Sequence, residues 1–235
     1  MSATGLQPSK LGTKEHWDNV YDEELQNFGE FGDEGEIWFG EDSVDKLVNW
    51  ALQNVPPKND LSILEVGSGN GTLLFALAEA GYTADTLLGI DYSEGAIALA
   101  SSIAKSRNRE GIQFHCCDFL NEEPPLLTNT RTVDGAAWDL ILDKGTFDAI
   151  ALMQKDNHGK APIDGYPLRV ARLLKPGAHF LITSCNFTEA ELQDKFMTPA
   201  TGLRYHSRIP YQTYTFGGRS GSICSSVAFV KPAAT

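Results

Sequence analysis

The chain has 235 residues, enough for one sizeable α/β domain with its own core and short for two. With 42% hydrophobic and 21% charged residues it has the composition of an ordinary globular protein and not of a disordered one; a net charge of -12 argues against a phosphate-backbone partner and suits a cationic one better. No run approaches the roughly 18 apolar residues of a membrane span, and the start, MSATGLQPSKLGTKEHW, lacks the apolar core of a secretory signal, so a cytoplasmic location with no membrane contact is expected, the nucleus also being open.

Residues 1–10 are polar and read as a flexible tail, leaving 11–235 as a single domain. "EHWDNVYDEELQNF" (15–28) carries Trp17, Val20, Tyr21, Glu24, Leu25 and Phe28 at helical spacing, a helix lying on the domain. "GDEGEIWFGEDS" (32–43) is a glycine-punctuated loop with Trp38 and Phe39. Ser43 is expected to cap the next helix, whose apolar face is Val44, Leu47, Val48, Ala51 and Leu52 and whose stop is Pro56-Pro57. From residue 61, short apolar runs alternate with helical periods: LSILEV, TLLGID, IQFHCCDF, WDLILDKG and AHFLITSCN. Fully apolar short strands separated by helices require a parallel sheet covered on both faces, hence a doubly wound α/β fold.

"NEEPPLLTNTRTVDGAA" (121–137) reads as an exposed insertion loop, and Lys175-Pro176-Gly177 as a sharp stop between helix and strand. Thr188 with Glu191 makes a capping box. "LRYHSRIP" and "SICSSVAFV" read as two strands joined across "YQTYTFGGRSG", an antiparallel hairpin at one edge with Arg219 at a solvated or substrate-facing tip. Cys116, Cys117, Cys185 and Cys224 lack metal spacing and are expected to be buried, reduced thiols; His16, His115, His158, His179 and His206 are scattered, and no metal is expected.

In an open α/β sheet, ligands sit beyond the carboxyl ends of the strands where the winding reverses. The residues at those ends are Glu65 before Gly67-Ser68-Gly69-Asn70-Gly71, then Asp91 with Tyr92, Asp118-Phe119 and Asp143. The glycines allow close backbone approach, and the helix from Gly71 offers free N–H groups. Asp91 follows Gly71 by twenty residues, the offset of a ribose acceptor. The spacing is GxGxG rather than the GxGxxG of a dinucleotide site, and the Glu65 charge would oppose a pyrophosphate. S-adenosylmethionine has no phosphate: its carboxylate suits the loop amides, its ammonium a Glu65 or Asp143 environment, and Asp118 and Phe119 are placed to meet the adenine.

ExGxGxG at 65–71, Asp91, Asp118-Phe119 and the LLKPG turn at 173–177 together resemble the class I, seven-β-strand methyltransferases, over most of the chain. More narrowly, "GEIWFGEDS", "GIDYSEGAI", "LDKGTFDAI", "LITSCN" and "FGGRSG" resemble the lysine methyltransferases of translation elongation factor 1-alpha, the second mammalian type and its fungal counterpart. The resemblance implies S-adenosylmethionine as donor and a lysine ε-amine of elongation factor 1-alpha as acceptor; a monomer is expected, and the acidic charge argues against direct nucleic-acid contact. It also implies that Trp38 and Phe39 cover the cofactor, that Asp143 and Asp148 orient the amine, Asp143 alternatively meeting the cofactor, and that Phe147 walls the lysine channel. Methylation of a small molecule or RNA, or a catalytically silent scaffold of the same fold, are the alternatives.

Overall fold

The computed structural model describes residues 6–128, 130–212, 214–216 and 219–233, with the backbone alone for 214–216 and 219–221. The apolar runs form strands: β1 (Ile63–Val66), β2 (Leu87–Asp91), β3 (Gln113–Cys116), β4 (Trp138–Lys144), β5 (Leu174–Ser184) and β6 (Arg204–Ile209). A ribbon of β7 (Tyr214–Phe216) and β8 (Arg219–Gly221) precedes β9 (Ser225–Val230). One sheet runs in the order β3-β2-β1-β4-β5-β9-β6. Neighbours from β3 to β5 are parallel, and β9 is antiparallel to both β5 and β6. The chain winds outward from β1 to β3, then returns to β4 on the other side, so the reversal falls between β1 and β4.

Alternation of side chains along each strand sorts the core into two layers. Leu64, Val66, Leu88, Ile90, Ile141, Phe180, Ile182, Val227 and Phe229 face one side, under α5 (Thr146–Ala151), α6 (Tyr166–Leu173) and α7 (Glu189–Phe196). Ile63, Leu87, Leu140, Leu142, Leu181 and Ala228 face the other, under α1 (Lys14–Phe31), α2 (Gly40–Asn54), α3 (Thr72–Glu79) and α4 (Glu94–Ser106). Both faces are apolar because both are covered, which is why the strands read as continuous hydrophobic runs.

Several local expectations change. Ser43 does not cap α2: the helix begins at Gly40, and the Ser43 hydroxyl donates to the Gly40 carbonyl inside its first turn. No loop separates α6 from β5, the strand starting at Leu174 and the bend being carried by Gly177 at φ +83°. The 121–137 loop is mostly exposed, as expected, but Leu127, Ala136 and Ala137 anchor it in the core. Of the four free cysteines Cys117 and Cys224 are buried, but Cys116 and Cys185 are exposed. Gly217 and Gly218 of the FGGRSG stretch lie outside the described residues. The hairpin expected at the sheet edge is there, though β9 lies inside it and β6 forms the rim. Within the stretch read as a tail, the Ser9 amide donates to the Leu152 carbonyl at 3.1 Å. Thr188 and Glu191 form the reciprocal capping box. Among the described residues no helix is long and apolar enough to cross a membrane.

Candidate active site

The turn between β1 and α3 is built by its glycines. Gly67, Gly69 and Gly71 all sit at positive φ, and a methyl group on Gly67 would lie 1.9 Å from Thr146 Oγ1, one on Gly69 2.4 Å from the Tyr21 hydroxyl. Gly71 serves packing instead: a methyl there would meet Phe114 at 2.7 Å, and the residue does not face the cavity. The Asn70 carboxamide accepts from the Thr72 amide at 3.3 Å and the Thr72 hydroxyl at 2.8 Å, while its NH2 donates to the Glu34 carbonyl at 2.9 Å. One side chain thus caps α3 and ties the 34–36 loop to the turn.

Beside the turn, Asp91 ends β2 and is 6% exposed. Its two oxygens each accept one amide, from Gly69 at 3.1 Å and Ser93 at 3.0 Å, which leaves further lone pairs for a ligand diol. Burial pushes its carboxyl up to about 6, against the pull of the Ser93 and Gly69 amides. Tyr92 follows it, and its hydroxyl reaches the Thr13 carbonyl at 3.5 Å. Beyond β3, Asp118 holds its own loop by accepting from the Leu120 amide at 2.9 Å and the Asn121 carboxamide at 2.7 Å, and the Phe119 ring stands 5.0 Å from that of Tyr166.

The residues after β4 are arranged differently from expectation. Asp143 does not reach the cavity: one oxygen accepts from the Thr146 amide at 3.0 Å, both take the Phe147 amide, and the Tyr166 hydroxyl donates to the other. It is the side-chain cap of α5, and burial pushes it up to about 7. Phe147 is no channel wall; it is fully buried among Tyr166, Phe187 and Phe196 with ring centroids 5.1–5.2 Å away. Glu65 is likewise interior, 1% exposed and turned away from the cavity, because it shares the sheet face of Ile63. Its Oε2 has no hydrogen-bond partner among the described residues, and burial pushes its carboxyl up to about 8 while Lys144 pulls it down. Asp148, by contrast, does line the cavity.

The cavity, of about 240 Å³, runs over the carboxyl ends of the strands. Trp38, Gly67, Ser68, Gly69, Asn70, Asp91, Tyr92, Asp118, Phe119 and Asp148 line it, as expected from sequence; Glu65, Gly71, Asp143 and Phe147 do not. Contributions not anticipated include Lys144, the Cys185-Asn186 turn after β5, Tyr21 and Trp17 of α1, and Leu11-Gly12. Trp17 and Tyr21 stand one helical turn apart, the available signal that one face of α1 covers something. Trp17 donates to the Leu11 carbonyl at 2.8 Å and meets Trp38 edge-on at 5.1 Å. Lys144 donates to the Trp38 carbonyl at 3.3 Å, and Phe39, held at φ 66°, packs its ring against Gly145. An aromatic cover is therefore fastened from both ends.

The residues fit S-adenosylmethionine: a glycine turn whose backbone comes closer to Thr146 and Tyr21 than any side chain would allow, the buried Ser68 hydroxyl without a partner among the described residues, a carboxylate beside the turn for a diol, and aromatic walls. A family model described as a methyltransferase domain matches residues 57–214. The chain is 41% identical over 241 residues to the protein-lysine N-methyltransferase efm4 of Schizosaccharomyces pombe, covering 96% of each. It is 40% identical over 227 residues to the human EEF1A lysine methyltransferase 2, covering 97% of this chain and 89% of that protein. Among solved structures, the N-methyltransferase NodS of Bradyrhizobium japonicum in complex with S-adenosyl-L-homocysteine superimposes with a TM-score of 0.59 at 17% identity, covering 92% of this chain and 98% of that one. The [4+2]-cyclase SpnF gives a TM-score of 0.65 at 14% identity over the whole of both chains, so the shared fold does not by itself decide the chemistry. The chain belongs to the methyltransferase-domain family, on the branch that holds the EEF1A lysine methyltransferase 2 and efm4 proteins.

Proposed function

We propose that this protein is an S-adenosylmethionine-dependent protein-lysine N-methyltransferase acting on translation elongation factor 1-alpha. The near-full-length identity to proteins named for that reaction carries it. When bound, S-adenosylmethionine supplies an electrophilic methyl group, which passes to the lysine nitrogen as the sulfur–carbon bond breaks.

The chain's own residues do the rest by binding and alignment, which accounts for much of the acceleration in such a displacement. The Gly67–Asn70 turn gives the methionine moiety close backbone approach, its Ser68 and Gly69 amides being held by the Ile90 carbonyl and Asp91, while Asp91 accepts from the ribose diol and Asp118 and Phe119 meet the adenine. Trp17, Tyr21 and Trp38 keep water from the sulfonium. Asp143 and Glu65 hold the floor and α5 in register without touching the ligand. A free lysine has a pKa of about 10.4, so the acceptor reacts in the fraction that has lost its proton to solvent.

The test is intact-mass spectrometry of purified elongation factor 1-alpha after incubation with enzyme and donor. Methyl-sized mass increments on the factor are expected; an unchanged mass beside donor consumption on small molecules or RNA would favour another substrate. The chain is proposed to work as a cytoplasmic monomer, where the factor resides, without contacting nucleic acid or membrane. Light scattering and imaging of a tagged chain check those two points.

A further inference from the structure

The turn that closes β5 has no part in the reading above, yet it forms the cavity wall next to Asp148. Ser184 and Asp148 are both buried. The Ser184 hydroxyl donates to Asp148 Oδ1, and the Cys185 amide donates to Asp148 Oδ2 at 2.7 Å. Ser184 Oγ in turn accepts the amides of Asn186 at 3.2 Å and Phe187 at 3.0 Å. Each oxygen of Asp148 is thereby engaged by the turn, and the carboxylate is a peg around which residues 184–187 wrap. Phe187 fixes the far end, its ring 5.2 Å from that of Phe147 in the core.

What this peg presents to the cavity is Asn186. Its carboxamide has one side-chain contact among the described residues, the weak thiol donor of Cys185 at 3.8 Å. The order of the strands says what end of the cavity this is. In the sequence β3-β2-β1-β4-β5, Asp118 and Asp91 mark the adenosine end, the glycine turn follows at β1, and β4 and β5 lie farthest along. With neighbouring strands about 4.8 Å apart, the β5 turn stands roughly 10 Å from the glycine turn, on the side away from the adenosine. That is where an acceptor amine has to enter.

Resting on the methyltransferase function proposed above, we propose that Asn186 is a catalytic residue whose carboxamide oxygen accepts a hydrogen bond from the target lysine nitrogen, and that Asp148 and Ser184 are positioning residues that aim it. A neutral acceptor is the suitable chemistry. A carboxylate in that place would stabilise the ammonium form, which has no lone pair to give; a carboxamide orients the N–H bonds with far less hold on the proton. The ammonium first loses a proton to water. The nitrogen lone pair then forms the N–C bond, the sulfur keeps the electrons of the S–C bond, and S-adenosylhomocysteine and the protonated methylated lysine result.

The experiment compares the full chain with Asn186→Ala, Asn186→Asp and Ser184→Ala, using elongation factor 1-alpha as substrate and calorimetry with S-adenosylmethionine alone. Asn186→Ala is expected to lower kcat/KM by at least about ten-fold, the weight of one hydrogen bond to a polar or charged group, with cofactor affinity within about two-fold of the parent. Asn186→Asp is expected to move the acidic limb of the kcat–pH profile to higher pH, since the added charge holds the proton. Ser184→Ala is expected to reduce kcat/KM in the same direction, and the Ser184→Ala/Asn186→Ala double variant to add little to Asn186→Ala. With an active parent, an Asn186→Ala rate within about two-fold or an unmoved pH limb in Asn186→Asp overturns the proposal alone. An inactive parent overturns the substrate assignment instead, and this inference with it.

Discussion

The two halves of the cavity use their acids in opposite ways. At the ends of β1 to β3, Asp91 and Asp118 face the cavity while the backbone around them is tied by glycine geometry and by amides that leave lone pairs over. At the end of β4, Asp143 faces inward and spends itself on two α5 amides and the Tyr166 hydroxyl. Acids of one type near strand ends thus face the cavity in one half and hold the scaffold in the other. What separates them is the cap: a helix begins three residues after each aspartate, but the Ser93 side chain caps α4 by accepting the Ala96 amide, whereas Gly145 brings no side chain to α5, whose first amides donate to Asp143 instead.

That contrast breaks if Asp143 proves to be a ligand contact. Asp143→Ala strands the buried Tyr166 hydroxyl and two amides, and is expected to lower unfolding free energy by about 4 kcal/mol in urea titrations; near-parent stability with lost cofactor binding would reverse the assignment. Gly67→Ala places a methyl on Thr146 Oγ1, which is itself pinned by donating to the Val66 carbonyl at 2.8 Å, and does so at φ +66°. A stability loss of about 3 kcal/mol and no calorimetric heat of cofactor binding are expected, by left-handed strain plus overpacking. Asp91→Ala tests the other half. It should weaken cofactor binding by about 2 kcal/mol, roughly thirty-fold, with a smaller stability loss than Asp143→Ala, since the Gly69 and Ser93 amides but no buried hydroxyl lose their acceptor. A smaller effect concerns pH. Burial raises Asp143 to about 7 and Glu65 to about 8, above the usual carboxyl range, so their neutral forms are the favoured ones in the fold. Their contribution to stability is complete below about pH 4, where the unfolded carboxyls are also protonated, and is lost as pH rises through 7 and 8. Melting temperatures from pH 5 to 8.5 should therefore fall toward the alkaline side, and Asp143→Asn should flatten the decline.

The fold was legible from sequence because its strands are buried on both faces, so each registers as an apolar run of its own. The glycine turn was legible too, since GxGxG constrains the backbone whatever surrounds it. Side-chain direction was the weak point. Glu65 and Asp143 were located at the right strand ends but aimed into the cavity, although the alternation Ile63-Leu64-Glu65 and the spacing of Asp143 before Thr146-Phe147 carry the contrary signal. Tyr21 and Trp17 escaped because their helical spacing marks a covered face of α1 but does not say that the face covers the distant glycine turn, which tertiary packing alone decides. Phe147 looked available beside two acids, but its ring fills the space between α6 and α7.

The position of β9 sets a timetable for the nascent chain. Ser225–Val230 pairs with β5 on one side and β6 on the other, so β5 lacks its second neighbour and β6 its strand partner until that segment has been made. Up to then the apolar edge of β5, with the Ser184–Phe187 turn at its tip, hangs open to solvent and to other chains. Synthesis order thus assembles the β1–β4 side of the crevice first and leaves its β5 side to be completed once Ser225–Val230 is in place.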